Sequence, residues 1–434
     1  MSKKQFLEGF SKLSSDEKLK MLAGTMDDPE AFINELNSYR YQDPSLQKKF
    51  EQFSENTISN FHLPYGIAPN FLIDGKLYHV PMVTEESSVI AAASKAAKFW
   101  YNHGGFQTEE LGTAKRGHVH FLWRGEPEEL ESLFSQFEPK LKSRLADVTK
   151  NMDARGGGIT ESWLSNMTSE MENYYVLGLS LETVDSMGAN FINSVLEKTA
   201  EEFKKFTDEY LPGKLEILMA ILSNYTPRSY VKMKVECAVE ELVGLNDSIK
   251  GVQFAKKFCK AIQIAKSNVS RVVTNNKGIM NGVDAVVIAT GNDFRAAEAG
   301  SHAYSVSHGK PATLTDCNIE NGIFTFRITM PLALGTVGGI TRLHPLASSS
   351  LEILGNPDAK ELMKITAAVG LASNFSAITS LITTGIQQGH MKLHLENILM
   401  AFDVDEEMKN KIRAHFKDKK VSHEKVKEFI KKNL

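Results

Sequence analysis

Cysteine is scarce. A chain of 434 residues holds three, Cys237, Cys259 and Cys317, far apart and odd in number. That argues against a disulfide framework and a clustered metal knuckle, and it predicts a reducing, cytoplasmic setting. An excess of one charge is also missing: 50 basic side chains stand against 53 acidic, a formal net charge of −3. No basic stripe therefore marks a nucleic-acid partner, and the lysine-rich C-terminus reads as a solvated helix face. The N-terminal run MSKKQFLEGFSKLSSDEK lacks the apolar stretch of a signal peptide. Long uncharged runs are rare as well. Ile365 to Ile386 has the length to cross a bilayer, but Thr366, Ser373, Asn374, Ser376, Thr379, Ser380, Thr383 and Thr384 lace it, so the expectation is a helix buried in a large core and no membrane. No Gly-x-Gly-x-x-Gly occurs, which argues against a Rossmann domain, and no Gly-x-Ser-x-Gly elbow occurs either.

What is present is an ordinary globular composition, 42% hydrophobic and 24% charged, in a chain long enough for two or three domains. Its organising stretch is Arg271 to Tyr304, RVVTNNKGIMNGVDAVVIATGNDFRAAEAGSHAY. Asn275-Asn276-Lys277-Gly278 and Asn281-Gly282 surround one lysine with turn-forming residues, which predicts a loop. Asp284 to Thr290 is apolar and mostly β-branched, which predicts a buried strand, and Gly291-Asn292-Asp293 then opens a helix. Asp293 would sit at a helix N-terminus, where free N–H groups favour a carboxylate. If the loop folds back, Lys277 and Asp293 pair, and a lysine held charged in a partly dry cleft stabilises an oxyanion or gives up a proton. On the residues alone, a surface lysine beside a common capping aspartate fits the same pattern.

Residues 1 to about 50 read as short amphipathic helices, with Ser14-Ser15-Asp16-Glu17 as a cap signal. Gly66 to Phe71 and Leu77 to Val83 read as strands joined at Asp74-Gly75, and Ser88 to Trp100 as an alanine-rich helix. Glu85 and Glu86 lie at that strand–helix junction, as a cap or as an acid facing a cleft. Then come a strand from Ala114 to Trp123, a charged helix from Pro127 to Thr149, strands from Gly158 to Met167 and Asn173 to Thr183, a helix from Asp185 to Phe206, and a strand from Lys214 to Tyr225. The order β-α-β-β-α-β is the ferredoxin-like split, inserted into a larger domain that resumes with a helical stretch from Tyr230 to Ile264. Asp185-Ser186-Met187-Gly188-Ala189-Asn190 opens the second helix of the split. Its N–H groups suit a pyrophosphate, or it is an ordinary cap with a close-packing glycine. His390 and His394 are spaced i, i+4, but Met391 stands where a zincin needs its glutamate, so no metal is expected.

NKGIMNG and ATGND resemble the active-site segments of 3-hydroxy-3-methylglutaryl-coenzyme A reductase of class II, the bacterial and archaeal form. The resemblance runs from about Glu55 to about Asn397. It puts Lys277, Asp293, Glu86 and His390, the last in a Gly-His-Met context, on the family's catalytic positions. Ser88, Arg271, Asn281 and Asn374 fall on substrate contacts; an arginine suits a carboxylate, which its fork holds in a bidentate grip. Asp185 to Asn190 resembles the family's dinucleotide motif with Ser186 in place of alanine, and Asn224 matches a nicotinamide contact. Ser87 departs from the proline of many members. Glu55-Asn56-Thr57-Ile58 matches the dimerisation motif, which implies a homodimer or higher oligomer.

The implied fold is α+β: a large mixed helical and sheet substrate domain in two parts, 1–107 and 226–385, an inserted ferredoxin-like (βαββαβ) cofactor domain, 108–225, and a C-terminal helical flap, 386–434, carrying His390. The implied reaction is reduction of HMG-CoA to mevalonate and CoA by NADPH or NADH. Thr149, beside Lys150 and ahead of Arg155, takes the place of an acidic residue that would hold the ribose of NADH, so the expectation leans to NADPH. The rivals are mevalonate oxidation with NAD, and a CoA-thioester hydrolase or acyltransferase, for which Ser88 has no recognisable base nearby.

Overall fold

A computed structural model of the chain describes residues 6–245, 249–307, 309–383, 385, 395–396, 398–399, 401–402, 404–416, 419 and 421–433. Met1–Pro64 and Tyr65–Leu434 form separate compact units. The first contains α1 (Ser15–Ala23), α2 (Pro29–Ser38) and α3 (Pro44–Glu51). A capping box between Ser14 and Glu17 starts α1, and Asp28 and Asp43 cap α2 and α3, each with proline at the first turn. Arg40 fixes the segment containing Glu55 to Ile58 by donating from Nε and Nη2 to the carbonyl of Ile58, at 3.1 and 2.8 Å.

The second unit opens with the antiparallel hairpin of β1 (Tyr65–Ile73) and β2 (Lys76–Val83), followed by α4 (Val89–Tyr101). β3 (Gln107–Thr113), a polar strand the sequence pattern does not mark, pairs with β8 (Ser229–Ala238), which pairs with β10 (Ile323–Pro331) and then β9 (Thr315–Glu320). Tyr230 to Ile264 is therefore not one helical stretch. Val231, Met233, Val235 and Cys237 alternate with Tyr230, Lys232, Lys234 and Glu236, a period-two pattern buried on one face. Helix α9 begins only at Gly251 and runs to Ser267.

Between β3 and β8 lie β4 (Lys115–Trp123), α5 (Pro127–Phe137), α6 (Leu141–Arg144), α7 (Ala146–Asp153), β5 (Gly158–Asn166), β6 (Tyr174–Glu182), α8 (Ala189–Tyr210) and β7 (Leu215–Ser223). Their sheet has the order β5-β6-β4-β7 with antiparallel neighbours, the ferredoxin-like arrangement. The expected single helix from Pro127 to Thr149 is interrupted by a 3-10 turn at Glu138–Lys140, where Pro139 has no N–H to continue it.

The larger core gathers β1, β2, α4, β8, β10 and α9 around α10 (Val269–Ala289) and α14 (Ala359–Ile382). Phe375 of α14 is its aromatic centre, with Trp100 at 5.0 Å and Phe258 at 5.4 Å between ring centroids. The run Asp284 to Thr290 belongs to α10 and not to a strand, and Lys277 stands on that helix and not in a loop. Helix α14 is the one helix among the described residues long and apolar enough to cross a membrane, and 78% of its most apolar window is buried in the protein. Helix α11 (Phe294–Val306) follows α10, and α12 (Ile340–Leu343) and α13 (Pro345–Ile353) precede α14. Helices α15 (Glu406–His415) and α16 (His423–Asn433) close a small core of their own with Leu395, Ile398 and Leu399.

The cysteines correct a further expectation. Cys259 of α9 and Cys317 of β9 are joined as a disulfide with Cα atoms 5.2 Å apart, and Cys237 is buried as a free thiol. Fifty-eight residues separate the pair in sequence, so spacing gives no hint of it.

Close approach of α10 to α14 rests on missing side chains. A Cβ on Gly282 would meet Ser373 Oγ and lie 2.6 Å from the Val369 carbonyl oxygen; one on Gly370 would lie 2.8 Å from Val283 Cγ2. Gly282→Ala is expected to destabilise the protein by about 1–3 kcal/mol, the cost of overpacking a close-packed core, measured as a lowered midpoint in chemical denaturation.

Candidate active site

One face of α10 carries Arg271, Thr274, Asn275, Gly278 and Asn281, at steps of three and four that bring them to the same side. Facing them are the first turn of α4 with Glu86 and Ser88 ahead of it, and Ser373, Asn374 and Ala377 of α14. Together they line a cleft of about 430 Å³, large enough for an organic substrate.

At its mouth Lys277 Nζ donates to Glu86 Oε2 at 3.0 Å. The two side chains are 61% and 45% exposed, so the pair contributes at most about 1 kcal/mol to stability. Its value is the placement of an ammonium beside a carboxyl at the edge of a cavity. Ser88, the N-cap of α4, holds φ at 78°, a left-handed conformation uncommon for serine. Such strain concentrates where surrounding structure fixes a side chain for use.

Behind the cleft the floor is a closed amide network. Asn374, 1% exposed, donates from Nδ2 to the Asn275 carbonyl at 3.1 Å, and Thr315 Oγ1 donates to Asn374 Oδ1 at 3.0 Å. Asn275 Nδ2 reaches Thr315 Oγ1 at 3.3 Å. Next along the helix, Asn276 clasps the segment before β9 through the Ala312 carbonyl, 3.0 Å, and the Leu314 N–H, 3.2 Å. The side chains of Asn275, Asn276, Thr315 and Asn374 are all hydrogen-bonded, which makes α10 a rigid mount for the residues above it.

Asp293 caps α11, accepting from the N–H groups of Arg295 at 3.0 Å and Ala296 at 3.2 Å, and its other oxygen pairs with Arg295 Nη2 at 3.1 Å. The pairing of Lys277 with Asp293 expected from sequence is not made; the carboxylate on Lys277 is that of Glu86. His390 lies outside the described residues, as does His394. Among the described residues no group of three or more histidines, cysteines or acids is gathered for a metal.

Sequence reading passed over Asp284. Seven residues beyond Lys277 on α10, its carboxyl is pushed up to about 8, first by burial, then by Glu298 of α11, which is near it and hydrogen-bonded to it; Glu85 pushes the same way and Lys277 opposes. Its Oδ1 is buried without a hydrogen-bond partner. A neutral acid thus lies behind the exposed Glu86–Lys277 pair.

A second, narrow crevice lies between the ferredoxin-like sheet and α11. Met187, Ala189, Leu222 and Asn224 line one side, Ala296, Ala297 and Gly300 the other. Gly188, with φ at 87°, is the N-cap of α8, and a Cβ there would sit 2.8 Å from Thr183 Cβ. The expected helix start at Asp185 moves to Ala189. Asp185 accepts from the Ala359 N–H through Oδ1 at 3.0 Å and from the Thr336 N–H through its carbonyl at 2.8 Å. Gly335 touches the same turn: a Cβ on it would meet Met187 N and lie 3.0 Å from the carbonyl carbon of Ser186. Gly335 also exchanges two hydrogen bonds with the Asn292 side chain, at 2.8 and 3.0 Å. The loop from Gly335 therefore ties the 185–190 segment to the Gly291–Asp293 turn. Asn190 lies in the first turn of α8. Thr149 is buried in α7 and Lys150 is exposed, and neither lines the crevice.

The family model for hydroxymethylglutaryl-coenzyme A reductase matches residues 15–395. The chain is 35% identical over 429 residues to the 3-hydroxy-3-methylglutaryl-coenzyme A reductase of Archaeoglobus fulgidus, covering 98% of this chain and 94% of that one. It is 33% identical over 400 residues to the probable reductase of Borreliella burgdorferi, covering 91% and 88%. Among solved structures it is similar to the class II reductase from Streptococcus pneumoniae bound to NADPH in open conformations, with 31% identity, a TM-score of 0.72, and 87% of this chain and 100% of that one covered.

The Asp284 carboxyl titrates higher in the fold than in the unfolded chain, where its value is about 4, so the fold holds its proton more tightly. Its stability contribution is intact below about pH 4 and lost as pH rises through about 8. Asp284→Asn is expected to lose less stability than the parent between pH 5 and pH 9, measured as the difference in Tm between the two proteins at each pH.

Proposed function

Because the chain belongs to the hydroxymethylglutaryl-coenzyme A reductase family of oxidoreductases, we propose that it reduces HMG-CoA to mevalonate. The balance is HMG-CoA, two NADPH and two protons to mevalonate, free CoA and two NADP⁺. The observation that carries the reading is the single cleft lined by Arg271, Lys277 and Asn281 of α10 together with Glu86, Ser88 and Asn374. Reduced nicotinamide supplies the two hydrides; the chain supplies placement, charge and protons.

Arg271 takes the free carboxylate of the substrate in a bidentate fork. Lys277 stabilises the negative charge that develops on the thioester oxygen, and after loss of CoA on the mevaldehyde oxygen. Glu86, 3.0 Å from that ammonium, tunes it and acts as the acid in the second reduction. Ser88, Asn281 and Asn374 position the hydroxymethylglutaryl group. Asp293 belongs to the same machinery from its place at the N-terminus of α11, and His390 protonates the departing CoA thiolate, a task suited to a group titrating near neutrality.

The turn at Asp185 to Asn190 suits the dinucleotide. Gly188 lets the backbone close against Thr183, and the N-terminus of the 22-residue α8 favours phosphate. Thr149 and Lys150 bear on the choice between NADPH and NADH, for which NADPH is the reading. A homodimer through the Glu55–Ile58 segment and a cytoplasmic location complete the proposal. The Cys259–Cys317 disulfide is unusual for that compartment.

Oxidation of reduced nicotinamide dependent on HMG-CoA, followed by loss of absorbance, tests the reaction. Activity is expected with NADPH above NADH, and Lys277→Ala is expected to lower kcat at least about 100-fold, the typical loss when a transition-state charge partner is removed, with Tm nearly unchanged. A preference for NADH would instead favour mevalonate oxidation, and inactivity with both cofactors would overturn the proposal. Light scattering is expected to give at least twice the chain mass of 48.2 kDa; an active monomer would defeat the dimer.

A further inference from the structure

Lysine is rarely buried, because its ammonium loses hydration that the interior does not return. Lys115, the first residue of β4, is 3% exposed. It reaches under the turn that leads into α8, donating to Thr183 Oγ1 and, at 2.8 Å, to the Ser186 carbonyl. Thr183 Oγ1 donates to the same carbonyl at 2.6 Å. The turn they hold is strained: Val184 is β-branched yet has φ at 51°, and Gly188 has φ at 87°. Outside, it is held by Thr336 and Ala359 on Asp185, and through the Val184 N–H on Glu182 Oε1 at 2.8 Å.

No carboxylate oxygen lies within ion-pair distance of the Lys115 ammonium among the ion pairs of the described residues. Glu182 of β6 and Asp185 of the turn act on it only at a distance. Its neighbour Arg116 lies over the Trp163 ring, 5.4 Å from its centroid. Lys115 also lines the narrow crevice, and the other walls, from α8, β7, α11 and β10, bring no titratable side chain to it. The crevice thus has one buried cation with neutral acceptors, whose amine is pulled down to about 8 by loss of hydration.

We infer that Lys115 is a positioning residue of the dinucleotide site, which fixes the Thr183–Gly188 turn and has its charge completed by the anionic cofactor. The inference rests on the reading of that turn as the dinucleotide segment. Binding of a polyanion there favours the protonated amine, so cofactor binding takes up a proton wherever the free protein has lost it. Affinity then falls as pH rises above the range where the free amine is charged. A side chain with a purely packing role imposes no such slope.

The test is NADPH binding to the full-length protein without HMG-CoA, read by nucleotide fluorescence between pH 6.5 and 9.5, for the parent, Lys115→Met and Lys115→Arg. The parent is expected to lose affinity about tenfold across the upper part of that range, a shift of one pKa unit on binding. Lys115→Met is expected to bind more weakly at pH 7 and with a flat profile, and Lys115→Arg to stay flat while retaining more affinity. The parent's slope needs no variant to fold. A parent profile that is flat, or a Lys115→Met protein matching the parent's affinity and slope, would overturn the inference while leaving NADPH binding intact. A parent that binds no NADPH at any pH would overturn the reading of the turn, and this inference with it.

Discussion

The distance between α10 and α14 is the constraint on which the site depends. Gly282 and Gly370 remove the side chains that would hold the two helices apart, and the Asn275, Asn374 and Thr315 network fills the contact with satisfied polar groups. A buried amide network is costly when half made and rigid when complete. Because it is complete, α10 is held at a fixed distance and presents Arg271, Lys277 and Asn281 at fixed spacing to the residues ahead of α4. The glycines that suggest a flexible loop in the sequence are the means by which a helix is packed tightly.

That inversion explains where sequence was a good guide and where it was not. Strand alternation and turn residues make the β1–β2 hairpin and the ferredoxin-like order legible, since each of those strands has one face toward a core. Asp284 to Thr290 misleads because a helix buried nearly all round loses the alternation that distinguishes it from a buried strand. The residues gathered in the cleft were recognisable as motif members, but which of them touch was not. Lys277 meets Glu86, 191 residues away in sequence, and Asp293 is taken up by its own helix and Arg295. Lys115 carries no local signal, for only the pairing of β4 with β6 brings it beneath the 183–186 turn.

Two acidic side chains near one lysine have been given opposite surroundings. Glu86 is solvated and carries its partner in the open, whereas Asp284 is buried with an acid neighbour that disfavours its charge. Burial beside another acid makes the Asp284 carboxyl hold its proton more tightly. The chain sets up this division with a single helix, since Lys277 and Asp284 lie two turns apart on α10.

The bond between Cys259 and Cys317 encloses α10 and α11, and with them Arg271, Lys277, Asn281 and Asp293, in one covalent ring. A ring shortens the excursions open to the unfolded chain. It also changes what a single backbone cut means. A break at any peptide bond between the two cysteines opens the ring without parting the molecule, because the disulfide still joins the two pieces and each keeps one covalent attachment to the rest of the chain.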